Sequence, residues 1–181
     1  MALRSTIFKA ELNISDMVRN YYADHSVTLA RHPSENDERM MVRLLAFALH
    51  ADEALALGDS VANEDEPSLW RKDLTGALEL WIDVGQPDEK RLRKACGRSR
   101  QVVVYAYGSG NGPWLEGMKS LPARTENLSV TVLPPAATKA LAGMAGRSMR
   151  LQVTIQEGQA WVSDEKNTIE IKLEQAIGSR R

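Results

Sequence analysis

The chain has 181 residues, enough for one domain with a hydrophobic core, and we expect a single domain over residues 1–181. Its 23 basic and 24 acidic side chains nearly cancel, so any attraction to nucleic acid must come from a local cluster of bases. The single cysteine, Cys96, excludes an internal disulfide and favours a reducing cytoplasm. The sequence shows no secretory leader and no long apolar run, so we expect no membrane span.

The first third of the sequence predicts a hairpin followed by a helix. Two β-rich runs, residues 5–14 and 20–30, flank a polar turn and predict a long antiparallel hairpin. Apolar side chains then recur at helical spacing from Met41 to Leu49. This pattern predicts a helix that begins after the candidate N-cap Ser34 and ends near Ala54.

The rest of the sequence alternates predicted strands and helices. Residues 63–67 predict a polar loop that leads into a turn around Trp70. Apolar runs such as Val102–Val104 are typical of strands covered on both faces, so we expect a βαβ core with a mixed sheet. The C-terminal strands should be antiparallel and should pair with the N-terminal ones. The predicted strands are residues 77–84, 101–107, 128–133, 151–156, 160–163 and 168–173, and the predicted helices are residues 87–96, 113–119 and 136–145.

The strand at residues 77–84 carries acidic side chains and is followed at once by a basic helix. Period-two alternation places Glu79 and Asp83 on one face, roughly 13 Å apart, which is too far for both to bind one metal ion. A metal site there would therefore need acids from other segments. Asp83 ends the strand at the carboxyl edge of the sheet, where open α/β folds place their ligands. The alternative is that Asp83 caps the next helix, whose start is predicted at residues 86–88.

The stretch from Asp73 to Lys94 resembles the PD-(D/E)xK nuclease core, in which an acid opens a hairpin, a second acid and a lysine alternate on the next strand, and a helix follows. In this resemblance Asp73 is the first acid, Asp83 is the second, and Gly85 stands where the lysine is expected. Over nearly its full length the chain resembles the YaeQ family of bacterial proteins, a divergent and functionally uncharacterised branch of that fold. The resemblance is carried by residues 28–35, 38–41, 65–67, 80–85 and 127–130.

The resemblance implies an α/β fold with a restriction-endonuclease-like core: a mixed central sheet flanked by helices, extended by antiparallel strands from both termini. It also implies a magnesium ion held by Glu38, Asp73 and Asp83, with Glu38 reaching across from the first core helix. The alternative for Glu38 is an ion pair with Arg39 or Arg43, and the alternative for Asp73 is a role in a turn.

A dense block of bases follows Asp83 in an otherwise neutral chain. Lys90 and Lys94 share a helix face, and Lys90 is a candidate to supply the charge that Gly85 lacks, as in resembled enzymes whose catalytic side chain has moved. Gln86 and Lys90 are candidates, with Asp83, to position water or phosphate. Lys90, Arg91 and Lys94 are candidates to bind nucleic acid. The alternative is a solvated amphipathic helix.

Other motifs give weaker indications of function. The glycines at positions 108, 110 and 112 depart from dinucleotide-binding spacing and predict a flexible turn. The histidines at positions 25, 32 and 50 lack sequence neighbours that would indicate zinc binding or a catalytic triad. Two hypotheses therefore stay open: a magnesium-dependent nucleic-acid phosphodiesterase, and a nuclease-like fold without hydrolysis that binds nucleic acid or protein.

Overall fold

The computed structural model describes residues 4–118, 121 and 125–178, in which the chain forms two β-sheets and four helices. The strands are β1 (Thr6–Asp16), β2 (Tyr21–Arg31), β3 (Leu55–Leu57), β4 (Leu69–Lys72), β5 (Leu78–Val84), β6 (Ser99–Ala106), β7 (Leu128–Val132), β8 (Ser148–Gln156), β9 (Gln159–Ser163), β10 (Thr168–Lys172) and β11 (Glu174–Ile177). The helices are α1 (Asp37–Leu49), α2 (Glu89–Arg98), α3 (Asn111–Gly117) and α4 (Pro135–Ala142). The predicted end of the third helix, Lys119, lies outside the described residues.

The first sheet has five strands in the order β10-β9-β8-β1-β2. Its β1–β2 pair is the predicted antiparallel hairpin, and β1 also pairs with β8 in parallel, which confirms that strands from the two ends of the chain pair with each other. Side chains alternate along β1, so that Phe8, Ala10, Leu12 and Ile14 are buried while their neighbours face solvent. This sheet therefore has one face on the core and one face in water.

The second sheet has six strands in the order β11-β7-β6-β5-β4-β3. Parallel pairing joins β5, β6 and β7, whereas β3, β4 and β11 pair antiparallel at the two edges, so the predicted mixed sheet is confirmed. Three of its strands, β3, β4 and β11, were not predicted. The segment around Trp70 is part of strand β4 and not the predicted turn. Its short sequence alone does not favour a strand, but pairing with β5 stabilises it as one.

Helix α1 lies between the two sheets and forms the centre of the larger core, which explains why every residue from Met40 to Leu49 is buried. Its N-cap is Asn36, whose side chain accepts from the Arg39 amide, and the predicted N-cap Ser34 is wrong. The Ser34 hydroxyl instead bonds to His32 in the preceding turn. The helix also ends at Leu49, earlier than the predicted Ala54.

A second core lies on the opposite face of the six-stranded sheet. There Leu92 and Ala95 of α2 pack with Trp81, Val102 and Val104. We call the face toward α1 the inner face and the face toward α2 the outer face. In the described part of the chain, no helix combines the length and the apolar character needed to cross a lipid bilayer.

Candidate functional sites

The alternation predicted for β5 fails at Glu79. Strand β4 shifts register there, since Arg71 pairs with Leu80 and Lys72 pairs with Leu78, which leaves Glu79 as an extra residue in a bulge. Glu79 accepts a 3.0 Å bond from Arg71 and lines a cavity on the inner face. Asp83 lies on the outer face. The prediction that Glu79 and Asp83 share a face is therefore wrong.

Asp83 is the penultimate residue of β5, at the predicted edge of the sheet, but its carboxylate is enclosed by protein donors. Arg91 binds it in a bidentate manner, from Nε to Oδ2 at 2.9 Å and from Nη2 to Oδ1 at 3.0 Å. The indole Nε1 of Trp81 donates to the same Oδ2 at 3.1 Å. The Asp83 side chain is only 3% exposed. The helix cap that sequence offered as its alternative role belongs to Asp88, which accepts from the Arg91 amide.

Arg91 connects three parts of the structure through the same guanidinium. Besides binding Asp83, its Nη1 donates to the Glu64 carbonyl at 2.7 Å and its Nη2 donates to the Glu66 carbonyl at 2.8 Å. All three guanidinium nitrogens thus already donate to protein acceptors, which join α2, the end of β5 and the loop before β4. This arrangement favours a structural role for Arg91 over the predicted contact with nucleic acid.

The structure does not bring Glu38 or Asp73 to Asp83. Asp73 lies in the β4–β5 turn, where its carboxylate accepts from Thr75 and the Ala77 amide, so the alternative role in a turn is the one observed. Since Ala77 immediately precedes β5 and Asp83 lies near the other end of that strand, Asp73 is roughly 20 Å from Asp83. Glu38 lies beyond the inner face and accepts from the Thr138 hydroxyl of α4 at 3.3 Å. The sheet therefore separates it from Asp83.

A buried carboxylate that sequence reasoning missed as a site lies near the start of α1. Glu35 is 1% exposed and accepts from Arg43 through Nε at 2.9 Å and Nη2 at 2.5 Å, and it also bonds Arg39. The ion pair proposed for Glu38 is thus made by Glu35, three residues earlier. The regular spacing of positions 35, 39 and 43 was the available signal, because residues four apart on a helix lie on one side.

The residues present do not fit a magnesium ion at the predicted position. Within residues 4–118, 121 and 125–178, no group of three or more His, Cys, Asp or Glu side chains is arranged to hold a metal. Asp83 and the buried Glu35 are each neutralised by guanidinium groups.

Gly85 occupies the place of the expected lysine because the backbone there has a positive φ of 98°. This left-handed conformation costs a residue with a Cβ atom roughly 1–2 kcal/mol, so glycine is favoured. The next residue, Gln86, is exposed and donates to the Asn111 side chain at 2.8 Å and to the Tyr107 carbonyl at 3.2 Å. Gln86 thus joins the loops that follow β5 and β6, and its predicted role toward water or phosphate stays a prediction.

The basic side chains of α2 differ in whether an acidic side chain already pairs with them. Lys90 is exposed, and no partner is recorded for it among the described residues. Lys94 bonds Asp65 at 2.6 Å, and this hydrogen bond is the main reason why the pKa of Asp65 lies below its ordinary value. Arg93 pairs with Glu89 of its own helix. Among the described residues, the exposed side of α2 therefore carries one lysine without an ion-pair partner, Lys90, and two bases in surface ion pairs, Arg93 and Lys94.

Sequence reasoning also set aside the histidines, one of which has an unusual environment. His50, the C-cap residue of α1, bonds the Tyr105 hydroxyl through Nε2 at 2.5 Å. Arg19 and Arg71 are close enough to His50 to act on its charge. No local signal could have shown this cluster, because its members come from the β1–β2 turn, α1, β4 and β6.

Comparisons with known proteins identify relatives over almost the whole chain. The family model described as YaeQ protein matches residues 1–173. The proteins named "Uncharacterized protein YaeQ" from Salmonella typhi and Escherichia coli (strain K12) are 44% and 42% identical over 174 residues, which is 96% of this chain and 96% of each relative.

Two solved structures have the same fold as this chain. The crystal structure of YaeQ protein from Xanthomonas axonopodis pv. citri is 48% identical, with a TM-score of 0.93 over 97% of this chain and 99% of that one. The crystal structure of YaeQ protein from Pseudomonas syringae is 37% identical, with a TM-score of 0.90 over 98% of each chain. The chain therefore belongs to the YaeQ family.

Proposed function

We propose that this protein is a nucleic-acid-binding module without hydrolytic activity, built on a nuclease-like unit that comprises the β4–β5 hairpin and α2. The observation that carries the proposal is the enclosure of Asp83. In a metal-dependent phosphodiesterase, the acid at this position must give an oxygen to the cation. Here both carboxylate oxygens accept from Arg91, and the side chain is 3% exposed. The acid therefore stabilises the fold at the place where catalysis would need it.

The surface of α2 supports phosphate binding. Lys90 is exposed and Lys94 is 61% exposed, and the two lysines lie one helical turn apart. A phosphate needs only accessible cations, and each contact releases counterions from the nucleic acid. The surface pair between Lys94 and Asp65 is weak enough to exchange, because exposed ion pairs contribute at most about 1 kcal/mol. Asp65 nevertheless competes with phosphate for Lys94.

The test is a titration of fluorescent single-stranded and duplex DNA and RNA at several salt concentrations. Replacing Lys90 and Lys94 by Ala should weaken binding and reduce the salt slope by about one unit for each lost contact. The matched control replaces Lys9 and Arg150 by Ala, since both are exposed on the solvent face of the five-stranded sheet and their loss changes net charge equally. Equal affinities of the two double variants would exclude α2 as the binding surface.

A further variant tests the competition at Lys94. Replacing Asp65 by Asn should strengthen binding, because it removes a negative charge and releases the lysine. No binding by the parent protein to any nucleic acid in the panel would refute the module.

The competing hypothesis is the magnesium-dependent phosphodiesterase, and it needs a test of its own. The parent protein is incubated with the same nucleic acids in magnesium and in manganese, and its melting temperature is measured with each cation. We expect neither cleavage nor a melting shift, because both carboxylate oxygens of Asp83 already accept from Arg91. Cleavage by the parent that is lost in a folded Asp83→Asn variant would replace the binding module by the enzyme.

A further inference from the structure

The inner face of the six-stranded sheet is open beyond the end of α1. Two adjoining cavities of about 620 and 530 Å³ lie there, and they share Tyr105, Thr131 and Gln175 in their linings. The opposite wall is formed by the turns at residues 16–19 and 156–158 of the five-stranded sheet. We call this continuous space the inner cleft. It lies on the other face of the sheet from α2, so it is separate from the nucleic-acid surface proposed above.

The floor of the inner cleft carries polar side chains at positions where the core-facing side of a sheet usually carries apolar ones. Along β7, Leu128 and Val130 pack into the outer-face core, so the residues between and after them, Ser129 and Thr131, project to the inner face and line the cleft. On the same face of the neighbouring strand β6, Val103 is buried in the larger core. Apolar packing does not explain polar side chains on the core-facing side of a sheet, whereas a few polar groups that converge in a concave space are typical of ligand sites.

A neutral hydrogen-bonded pair lies at the centre of this floor. His50 and Tyr105 are joined at 2.5 Å, and Tyr105 is 6% exposed. Burial, followed by the positive charges of Arg19 and Arg71, lowers the pKa of His50 to about 4, while burial raises the pKa of Tyr105. Both groups are therefore uncharged at neutral pH, which leaves donor and acceptor capacity for a polar ligand.

Among the described residues, three arginines line the inner cleft, Arg19, Arg71 and Arg100, and the first two are close enough to the pair to act on the charge of His50. Arg71 and Arg19 are each held by an acid through Nε, Arg71 by Glu79 at 3.0 Å and Arg19 by Asp16 at 2.6 Å. Arg19 also donates from Nη1 to the Ala51 carbonyl. For Nη1 and Nη2 of Arg71, no acceptor is recorded within the described residues. An arginine oriented through Nε, with its Nη fork unused, is suited to bidentate recognition of a carboxylate or phosphate.

We propose that the inner cleft binds a small organic anion. The Nη fork of Arg71 holds its carboxylate or phosphate group, and the His50–Tyr105 pair bonds a hydroxyl or carbonyl group of the same molecule. Thr131 and Ser129 complete the polar floor. Each of the two cavities of the cleft has a size that suits a metabolite, because ligand pockets in proteins are on the order of 300–1,000 Å³.

The histidines allow a direct test, because the chain has only three of them. Long-range proton–nitrogen spectra of the imidazole rings are recorded during titration with inorganic phosphate, malonate and glycerol 3-phosphate, with chloride keeping the ionic strength constant. Saturable changes should appear at the His50 nitrogens and not at those of His25 or His32. The pattern among the three probes distinguishes a phosphate ligand from a carboxylate ligand.

The matched variant is Arg71→Gln together with Glu79→Gln, which removes the ion pair and leaves the net charge unchanged. It should lower the affinity for the preferred probe about tenfold or more. Arg150→Gln, on the exposed face of the other sheet, should bind as the parent does. Tyr105→Phe gives a second measurement, and it should lower the affinity for glycerol 3-phosphate several-fold. The proposal is overturned if no probe changes the His50 signals more than chloride does, or if the Arg71/Glu79 variant binds as tightly as the parent.

Discussion

Replacing His50 by Gln should reduce the loss of stability that this protein suffers in mild acid. Burial and the nearby arginines lower the pKa of folded His50 from 6.5 to about 4. Between these values the unfolded chain takes up a proton that the folded chain does not, so stability is full above pH 6.5 and is lost as the pH falls toward 4. Lowering the pH from about 7 to about 5 should therefore cost the parent about 2 kcal/mol through this one residue.

The measurement is urea denaturation of the parent and of His50→Gln at a series of pH values between about 7 and about 5. We expect the difference in unfolding free energy between the two proteins to change by about 2 kcal/mol over this interval. Tyr105→Phe is the control, because it removes the hydrogen bond but leaves the burial that is the main cause of the shift. It should therefore keep most of the parent's pH dependence. Parallel stability profiles for the parent and His50→Gln would refute the reasoning.

Three other substitutions test the turn after β5 and the ion pairs near the start of α1. Gly85→Lys should destabilise the protein by roughly 1–2 kcal/mol, because φ is 98° at this position, and it should not create hydrolysis of any nucleic acid in magnesium; turnover by this variant would contradict the account of Asp83. Glu35→Gln should cost about 3–5 kcal/mol in urea denaturation, because it leaves Arg43 buried without a counter-charge, whereas Glu38→Gln should cost less than about 1 kcal/mol. Similar losses for these two variants would show that the Glu35 ion pairs do not stabilise the start of α1.

Local sequence patterns were sufficient for the elements that carry their own signal. The long β1–β2 hairpin and α1 follow from apolar spacing over many residues, and both are present. The short strands β3, β4 and β11 have three or four residues each and depend on pairing with distant partners, so their own sequence gives too little information. The pairing of the two ends of the chain was predictable because β1 and β8 both alternate cleanly.

Local sequence patterns predicted the candidate sites less well than they predicted the long strands and helices. The βαβ pattern correctly placed Asp83 at the carboxyl edge of its sheet, but alternation along β5 could not reveal the bulge that moves Glu79 to the other face. Arg91 was recognised as a base of the following helix, yet its partner Asp83 could be identified only in the folded chain. His50 and Tyr105 are 55 positions apart in the sequence, so their cluster is visible only in the folded chain.

The missing lysine and the enclosed acid have a common origin in the turn after β5. The positive φ of Gly85 turns the chain sharply, so that Asp88 can cap α2 only three residues later. That early start places Arg91 in the first turn of the helix, within bonding distance of both Asp83 oxygens. A lysine at position 85 would strain this turn, and it would still face an acid that is already neutralised. A metal site here would therefore require a different backbone after β5 as well as the loss of Arg91, which is why we favour the proposed binding module over the enzyme.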